Sequence, residues 1–174
     1  INLNVGCPSG RVKSGGFGAI LMEDPDLVAR CVGSIKKAAG HSPVSVKCRL
    51  GVDFQIPEIE LPIFLQKIID AGIDSVTIHA RKALLNGLSP KANRSIPKLD
   101  YDLVLKMKSV FPFTKIYLNG GVVNLEQANN LIKGGLDGVM IGRAAYNNPR
   151  ETLLPADQKI FGDISRQNTM FEAI

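Results

Sequence analysis

Apolar and polar positions along the chain change period in a regular way. Short β-branched runs at Ile1–Val5, Val44–Leu50, Ser75–Ala80, Lys115–Asn119 and Gly138–Gly142 alternate with stretches whose apolar residues recur at helical spacing. The first helical stretch spans about Pro25 to Ala39, with Asp24 as N-cap, Pro25 at the first helical position and Gly40 as stop. Its residues Leu27, Val28, Cys31, Val32, Ile35 and Ala39 fall on one face. A second helix is predicted over roughly Leu61–Ala71 and a third over Tyr101–Phe111. The fourth begins at Asn124, where Gln127 gives capping-box spacing, and stops at Gly134-Gly135. From Arg150 onward the periodicity weakens and predicts no element.

The order is β-α-β-α-β-α-β-α-β, and parallel strands joined by crossover helices are the economical reading. Parity within the strands says more. Ser45, Lys47 and Arg49 share one face of their strand, while Val44, Val46, Cys48 and Leu50 share the other. The same split separates Asn2 and Asn4 from Leu3 and Val5, Thr77, His79 and Arg81 from Val76, Ile78 and Ala80, and Tyr117 and Asn119 from Ile116 and Leu118. Strands buried on both faces are nearly all apolar. Here one face is polar toward its carboxyl end, where (β/α)8 barrels keep their chemistry.

No Gly-rich dinucleotide fingerprint follows a strand, which favours a barrel over an open doubly wound sheet. A complete barrel needs roughly 250 residues, so the 174 residues predict an α/β fold of about the last five βα units of a partial TIM (β/α)8 barrel. On that reading residues 1–149 form the partial barrel and 150–174 a C-terminal tail. The chain opens inside a strand pattern, so a piece of a longer polypeptide is expected, without the first strands.

Composition adds bounds. The chain is 45% hydrophobic and 21% charged, so a packed core is expected and disorder is not. No apolar run approaches membrane-spanning length, and no membrane partner is expected. Cys7, Cys31 and Cys48 are odd in number and lack metal-ligand spacing, which points to a reducing compartment, no disulfide framework and no metal. The net charge of +5 permits a polyanionic partner.

Candidate chemistry gathers at the strand ends. Asn119-Gly120-Gly121 follows one strand and Gly142-Arg143 the next, a pairing in which barrels bind phosphate through glycine N–H groups and a bidentate guanidinium; ordinary turn chemistry is the competing reading. Cys7 lies between Gly6 and Pro8 just past a strand end, and a thiol protonated at neutral pH can act as a general acid. Cys31 and Cys48 read as packing. Lys47 and His79 share the parity of Asn4 and Asn119, and buried cations without an anion are costly, so an anionic or electron-rich ligand is expected between them. Residues 81–99 carry Arg81, Lys82, Lys91, Arg94 and Lys98 with no acidic residue. A solvated loop is the bland reading; contact with nucleic-acid phosphates is the sharper one.

Together these stretches resemble the tRNA-dihydrouridine synthases, in particular their bacterial A-type subfamily, which acts on uridines 20 and 20a. The resemblance is carried by INLNVGCPSGRVKSGGFGAILM, VSVKCRLGVD, VTIHARKALLNGLSPKANRSIPKLDYD, LNGGV and DGVMIGRAAYNNP, over about residues 1–162. It implies FMN across the strand ends, with Lys47 and His79 near the isoalloxazine and Asn119, Gly120, Gly121, Gly142 and Arg143 at the phosphate. It implies NADPH as reductant, tRNA as substrate, Cys7 as proton donor to a flipped uracil, and RNA contacts from Asn4, Arg81, Lys91 and Arg94. A C-terminal helical tRNA-binding domain of that family has no counterpart in these residues. Gly10 stands where the family more often has an acidic or polar residue. The resemblance implies a cytoplasmic or organellar location, and no protein partner is indicated. A dihydroorotate-dehydrogenase-like FMN barrel, a Schiff-base aldolase built on Lys47 and a non-catalytic RNA-binding remnant remain the competing readings.

Overall fold

The computed structural model describes residues 1–9 and 15–163. Five strands, β1 (Asn2–Asn4), β2 (Ser45–Arg49), β3 (Ser75–His79), β4 (Lys115–Asn119) and β5 (Gly138–Met140), form one sheet in the order β1-β2-β3-β4-β5. Every neighbouring pair is parallel. The crossovers carry α1 (Pro25–Ala39), α2 (Pro57–Asp70), α3 (Tyr101–Val110) and α4 (Leu125–Lys133), followed by the short helices α5 (Arg143–Asn147), α6 (Pro149–Thr152) and α7 (Ala156–Phe161). A sheet whose strands follow chain order with a helix after each is an arc of a (β/α)8 barrel.

Register turns parity into layers. Asn2, Ser45, Ser75 and Lys115 form one row; Asn4, Lys47, Thr77, Tyr117 and Gly138 form the next. Arg49, His79, Asn119 and Met140 form the row at the carboxyl ends. Between these rows lie Val46, Val76 and Ile116, then Cys48, Ile78 and Leu118, all fully buried on the opposite face. The core is built there, with Val28 and Val32 of α1, Leu61, Phe64, Leu65 and Ile68 of α2, Leu103, Val104 and Met107 of α3 and Ala128 of α4. Burial pushes the Cys48 thiol up to about 12, in keeping with a packing role.

Three helix starts have side-chain caps: Asp24, Asp100 and Asn124 accept from the N–H groups of Leu27, Leu103 and Gln127. The reciprocal bond of the last cap runs from Val123 N–H to Gln127 Oε1 at 3.1 Å, one residue before the cap itself. α2 begins at Pro57, earlier than the Leu61 read from periodicity. Pro62 mimics a boundary, but its missing N–H would have met only the Glu58 carbonyl in the first turn, while Pro57 and the acidic Glu58 and Glu60 suit a helix start. The tail from Pro149 also forms two short helices where no element was expected. Gly10 and tail residues 164–174 lie outside the described residues.

One device recurs at the amino ends of the strands. Asp74 Oδ2 accepts from Val44 N–H at 2.6 Å and from Lys36 Nζ at 2.9 Å. Asp137 Oδ2 accepts from Ile116 N–H at 2.8 Å and from Lys108 Nζ at 2.8 Å. Each carboxylate thus fastens the start of the preceding strand to the helix that leads into that strand. Replacing Asp137 by Ala strands the N–H of the fully buried Ile116 and is expected to lower unfolding stability by about 1–3 kcal/mol in urea titration. Asp137→Asn, which can still accept from that N–H, should fall between the Ala variant and the wild type.

Candidate active site

A cavity of about 660 Å³ opens at the carboxyl ends of the strands, within the usual range of ligand sites. Its walls include Lys47 and Arg49 from β2, His79 from β3, Asn119-Gly120-Gly121 after β4, Gly142 and Arg143 after β5, and Arg94 from the long loop. Eight sequence candidates therefore converge: Lys47, His79, Asn119, Gly120, Gly121, Gly142, Arg143 and Arg94. Asn4, Cys7, Arg81 and Lys91 are not in the wall.

The two consecutive glycines are structural requirements. Gly120 has φ 106° and Gly121 φ 72°, a region that side-chain-bearing residues rarely adopt. A Cβ on Gly120 would lie 3.0 Å from His79 Cε1, and one on Gly121 would lie 2.8 Å from the Tyr101 hydroxyl. The turn is pinned by Tyr101, whose hydroxyl donates to the Gly120 carbonyl at 2.7 Å. Asn119 Nδ2 donates to the Met140 carbonyl at 2.8 Å, joining the ends of β4 and β5.

Charge sets the chemistry. Lys47, Arg49, Arg94 and Arg143 line the cavity, and among the described residues no carboxylate does. Burial first, then Arg49, lowers the Lys47 ammonium. Burial likewise brings the Arg49 guanidinium down to about 10; Cys7 opposes that shift, while Arg81 and Arg94 add to it. Arg49 remains a cation at neutral pH, and any anion that enters favours the charged form of Lys47. His79 behaves differently from the cation expected at its position. Burial, reinforced by Arg49, Lys47, Arg81 and Arg143, depresses it to about 3, so the imidazole is neutral. Among the described residues its buried Nδ1 finds no hydrogen-bond partner, nor does the buried Nε of Arg81. A site with crowded cations, an orphaned imidazole nitrogen and a glycine-floored turn fits an anionic, heteroaromatic ligand.

The remaining candidates stand around this cavity. Asn4 is exposed and its Oδ1 accepts from Gly6 N–H at 3.0 Å, shaping the turn that leads to Cys7. Gly6 lines the cavity, and the half-buried Cys7 follows it with its carbonyl accepting from Ala19 N–H at 3.0 Å. Arg81 turns back to the Pro97 carbonyl, and Lys82 Nζ donates to the Gln55 carbonyl at 2.7 Å. Two of the five cations of the 81–99 stretch thus hold the loop together, leaving Lys91, Arg94 and Lys98 exposed. Arg143 NH2 donates to the Arg94 carbonyl at 3.0 Å, so the phosphate-type arginine also grips this loop.

Sequence reasoning placed Arg49 on the polar face but gave it no role. It is 3% exposed, and its Nε donates to the Gly6 carbonyl at 3.2 Å, its NH1 to the Lys82 and Asn93 carbonyls at 3.3 and 3.0 Å. The signal available was its spacing, two residues beyond Lys47 on the same face. Asn93 was missed entirely.

Because His79 is neutral in the fold and titrates near 6.5 when exposed, the unfolded chain binds a proton that the native state refuses between about pH 6.5 and 3. Stability therefore falls as pH falls through that window, by roughly 2 kcal/mol from pH 7 to pH 5 for this group. Denaturant titrations at both pH values should show that loss in the wild type. In His79→Gln the difference should shrink by most of that amount; an equal slope would mean the imidazole is not held neutral.

The model of the dihydrouridine synthase family matches residues 1–170. The chain is 48% identical over 165 residues to the tRNA-dihydrouridine(20/20a) synthase of Pseudomonas syringae, covering 95% of this chain and 48% of that protein. To the tRNA-dihydrouridine(20/20a) synthase of Vibrio cholerae it is 52% identical over 163 residues, 93% and 49% of the two chains. To that of Synechocystis it is 51% identical over 149 residues, 86% and 44% of the two. The chain thus spans about half the length of the curated relatives it matches. A family match over nearly all its residues, on a strand-end cavity of the kind described above, establishes that this chain belongs to the dihydrouridine synthase family.

Proposed function

We propose that this chain forms part of the catalytic domain of a tRNA-dihydrouridine synthase that acts on the D loop, at uridines 20 or 20a. The observation that carries the reading is the four-cation cavity at the strand ends, lined by no carboxylate among the described residues, with the peptide leading into Cys7 in its rim. A small acidic substrate alone needs no exposed basic loop beside that cavity, which disfavours the dihydroorotate-type reading.

FMN is the implied cofactor, reduced by NADPH, and when bound it supplies the hydride that adds to C6 of the uracil. The residues present suit it. Gly120 and Gly121 leave room for close approach, and Asn119 fixes their turn against β5. Arg143 and the Gly142 amide would meet the phosphate. Lys47 would give positive charge to the electron-rich end of the ring system, and the unpartnered His79 Nδ1 would accept a hydrogen bond.

Saturating the uracil C5–C6 bond also requires a proton at C5. A neutral imidazole depressed to about 3 is not an acid at physiological pH, and the neighbouring arginines hold their protons. Cys7 is the weak acid left beside the cavity, and its thiol would donate the proton. The resulting thiolate would lie within the influence of the Arg49 guanidinium, on which Cys7 acts electrostatically. Reaching the ring requires a flipped base. Asn4, Arg81, Lys91 and Arg94 are assigned to the RNA side: Lys91 and Arg94 by exposed charge, Asn4 at the Cys7 turn, and Arg81 through shaping the loop.

Two outcomes test this in the full-length gene product. Cys7→Ala should leave the bound-flavin absorption spectrum nearly unchanged while dihydrouridine formation, counted by mass spectrometry of D-loop fragments, drops at least about 100-fold. Undiminished product would remove the thiol from the chemistry. Replacing Lys91 and Arg94 by Ala should weaken tRNA binding and make the plot of log affinity against log salt shallower, by about 1 for each phosphate no longer neutralised. A slope identical to wild type would take this loop off the RNA.

A further inference from the structure

The 81–99 loop is too long for an ordinary βα connection, yet it is knotted from within by one residue. Asn93 is fully buried. Its Oδ1 accepts from Leu84 N–H at 2.7 Å, and its Nδ2 donates to the carbonyls of Leu84, Leu88 and Ser89 at 2.8, 3.3 and 3.4 Å. One amide thereby replaces the ladder bonds that this segment cannot make to the sheet. The backbone carbonyl of the same residue accepts from Arg49 NH1, and the next carbonyl, of Arg94, accepts from Arg143.

Arg49 continues the connection. Its Nε holds the Gly6 carbonyl, and that carbonyl belongs to the peptide unit entering Cys7. The guanidinium is planar and rigid, so a fork holding Asn93 and Lys82 on one side and Gly6 on the other transmits displacement rather than absorbing it. We propose that Asn93 is a positioning residue that, through Arg49, locks the basic loop and the Cys7 turn into one body. Arg94, exposed at the cavity wall, directly follows Asn93, so a polyanion seated on Arg94 also fixes the thiol's placement. This deepens the proposed function and rests on it for its meaning, though not for its test.

The test reads Cys7 without turnover. In the folded full-length protein, iodoacetamide labelling of Cys7, followed by peptide mass spectrometry, should rise at least threefold in Asn93→Ala, with Cys31 on α1 unchanged. Arg49→Lys, which keeps the charge but loses the fork, should produce the same rise, and it serves alone if Asn93→Ala shows no cooperative unfolding transition. Under saturating tRNA, Asn93→Ala should lower kcat about tenfold, with flavin affinity within twofold of wild type. The double variant should be no slower than Arg49→Lys by itself. Unaltered Cys7 labelling in both variants, or losses in kcat that multiply, overturns the coupling. A wild type that forms no dihydrouridine overturns the proposed function instead, since the labelling comparison still reports on the coupling.

Discussion

Positive charge that the protein leaves uncompensated governs this molecule. Burying cations without carboxylates is unfavourable, and the strand ends do it with the buried Arg49 and the half-buried Lys47, while the exposed Arg94 and Arg143 add charge at the same cavity. The fold tolerates the arrangement because the arginines give their N–H groups to backbone carbonyls: Arg49 to Gly6, Lys82 and Asn93, Arg81 to Pro97, Arg143 to Arg94. Carbonyl dipoles satisfy hydrogen bonds without cancelling charge. The site stays electropositive and geometrically fixed together, which a set of salt bridges could not achieve.

The opposite end of the sheet follows the opposite rule. Lys36–Asp74 and Lys108–Asp137 pair there, Lys67–Asp26 joins α2 to α1, and none of the three lies at the cavity. Asp74 and Asp137 combine a lysine with a strand-starting N–H, so each acid satisfies a donor that the turn would leave open. Asp74 and Asp137 hold helices on strands at the amino ends, and among the described residues no carboxylate lines the cavity. This is the division between stability and chemistry that parallel barrels show at their two ends.

That division explains what could be read from residues alone. Side-chain parity in a strand is fixed by backbone geometry, so the polar face holding Lys47, His79 and Asn119 was legible, as were all five strands and the face of α1. The start of α2 was not, because Pro62 looks the same as a terminator whether or not its carbonyl partner sits in a first turn. His79 was read as a cation, since sequence reports its type and neither the burial nor the four neighbouring charges that suppress its protonation. Arg49 and Asn93 lie 44 positions apart and meet across a loop. No local pattern encodes which carbonyl a guanidinium will find, and a buried asparagine in a basic stretch looks like any polar loop residue.

The neutral state of His79 also limits how the proposed chemistry can be divided. Burial disfavours an imidazolium here and the four neighbouring cations add to that, so the fold keeps this group neutral and loses it as an acid. Tyr101, the phenol nearest the Gly120 turn, is raised by burial and already donates to a carbonyl. The lysine and arginines must keep their protons if an anion is to be held. With each of these groups committed, the proposal leaves proton delivery to the thiol on the turn that Asn4 and Arg49 shape.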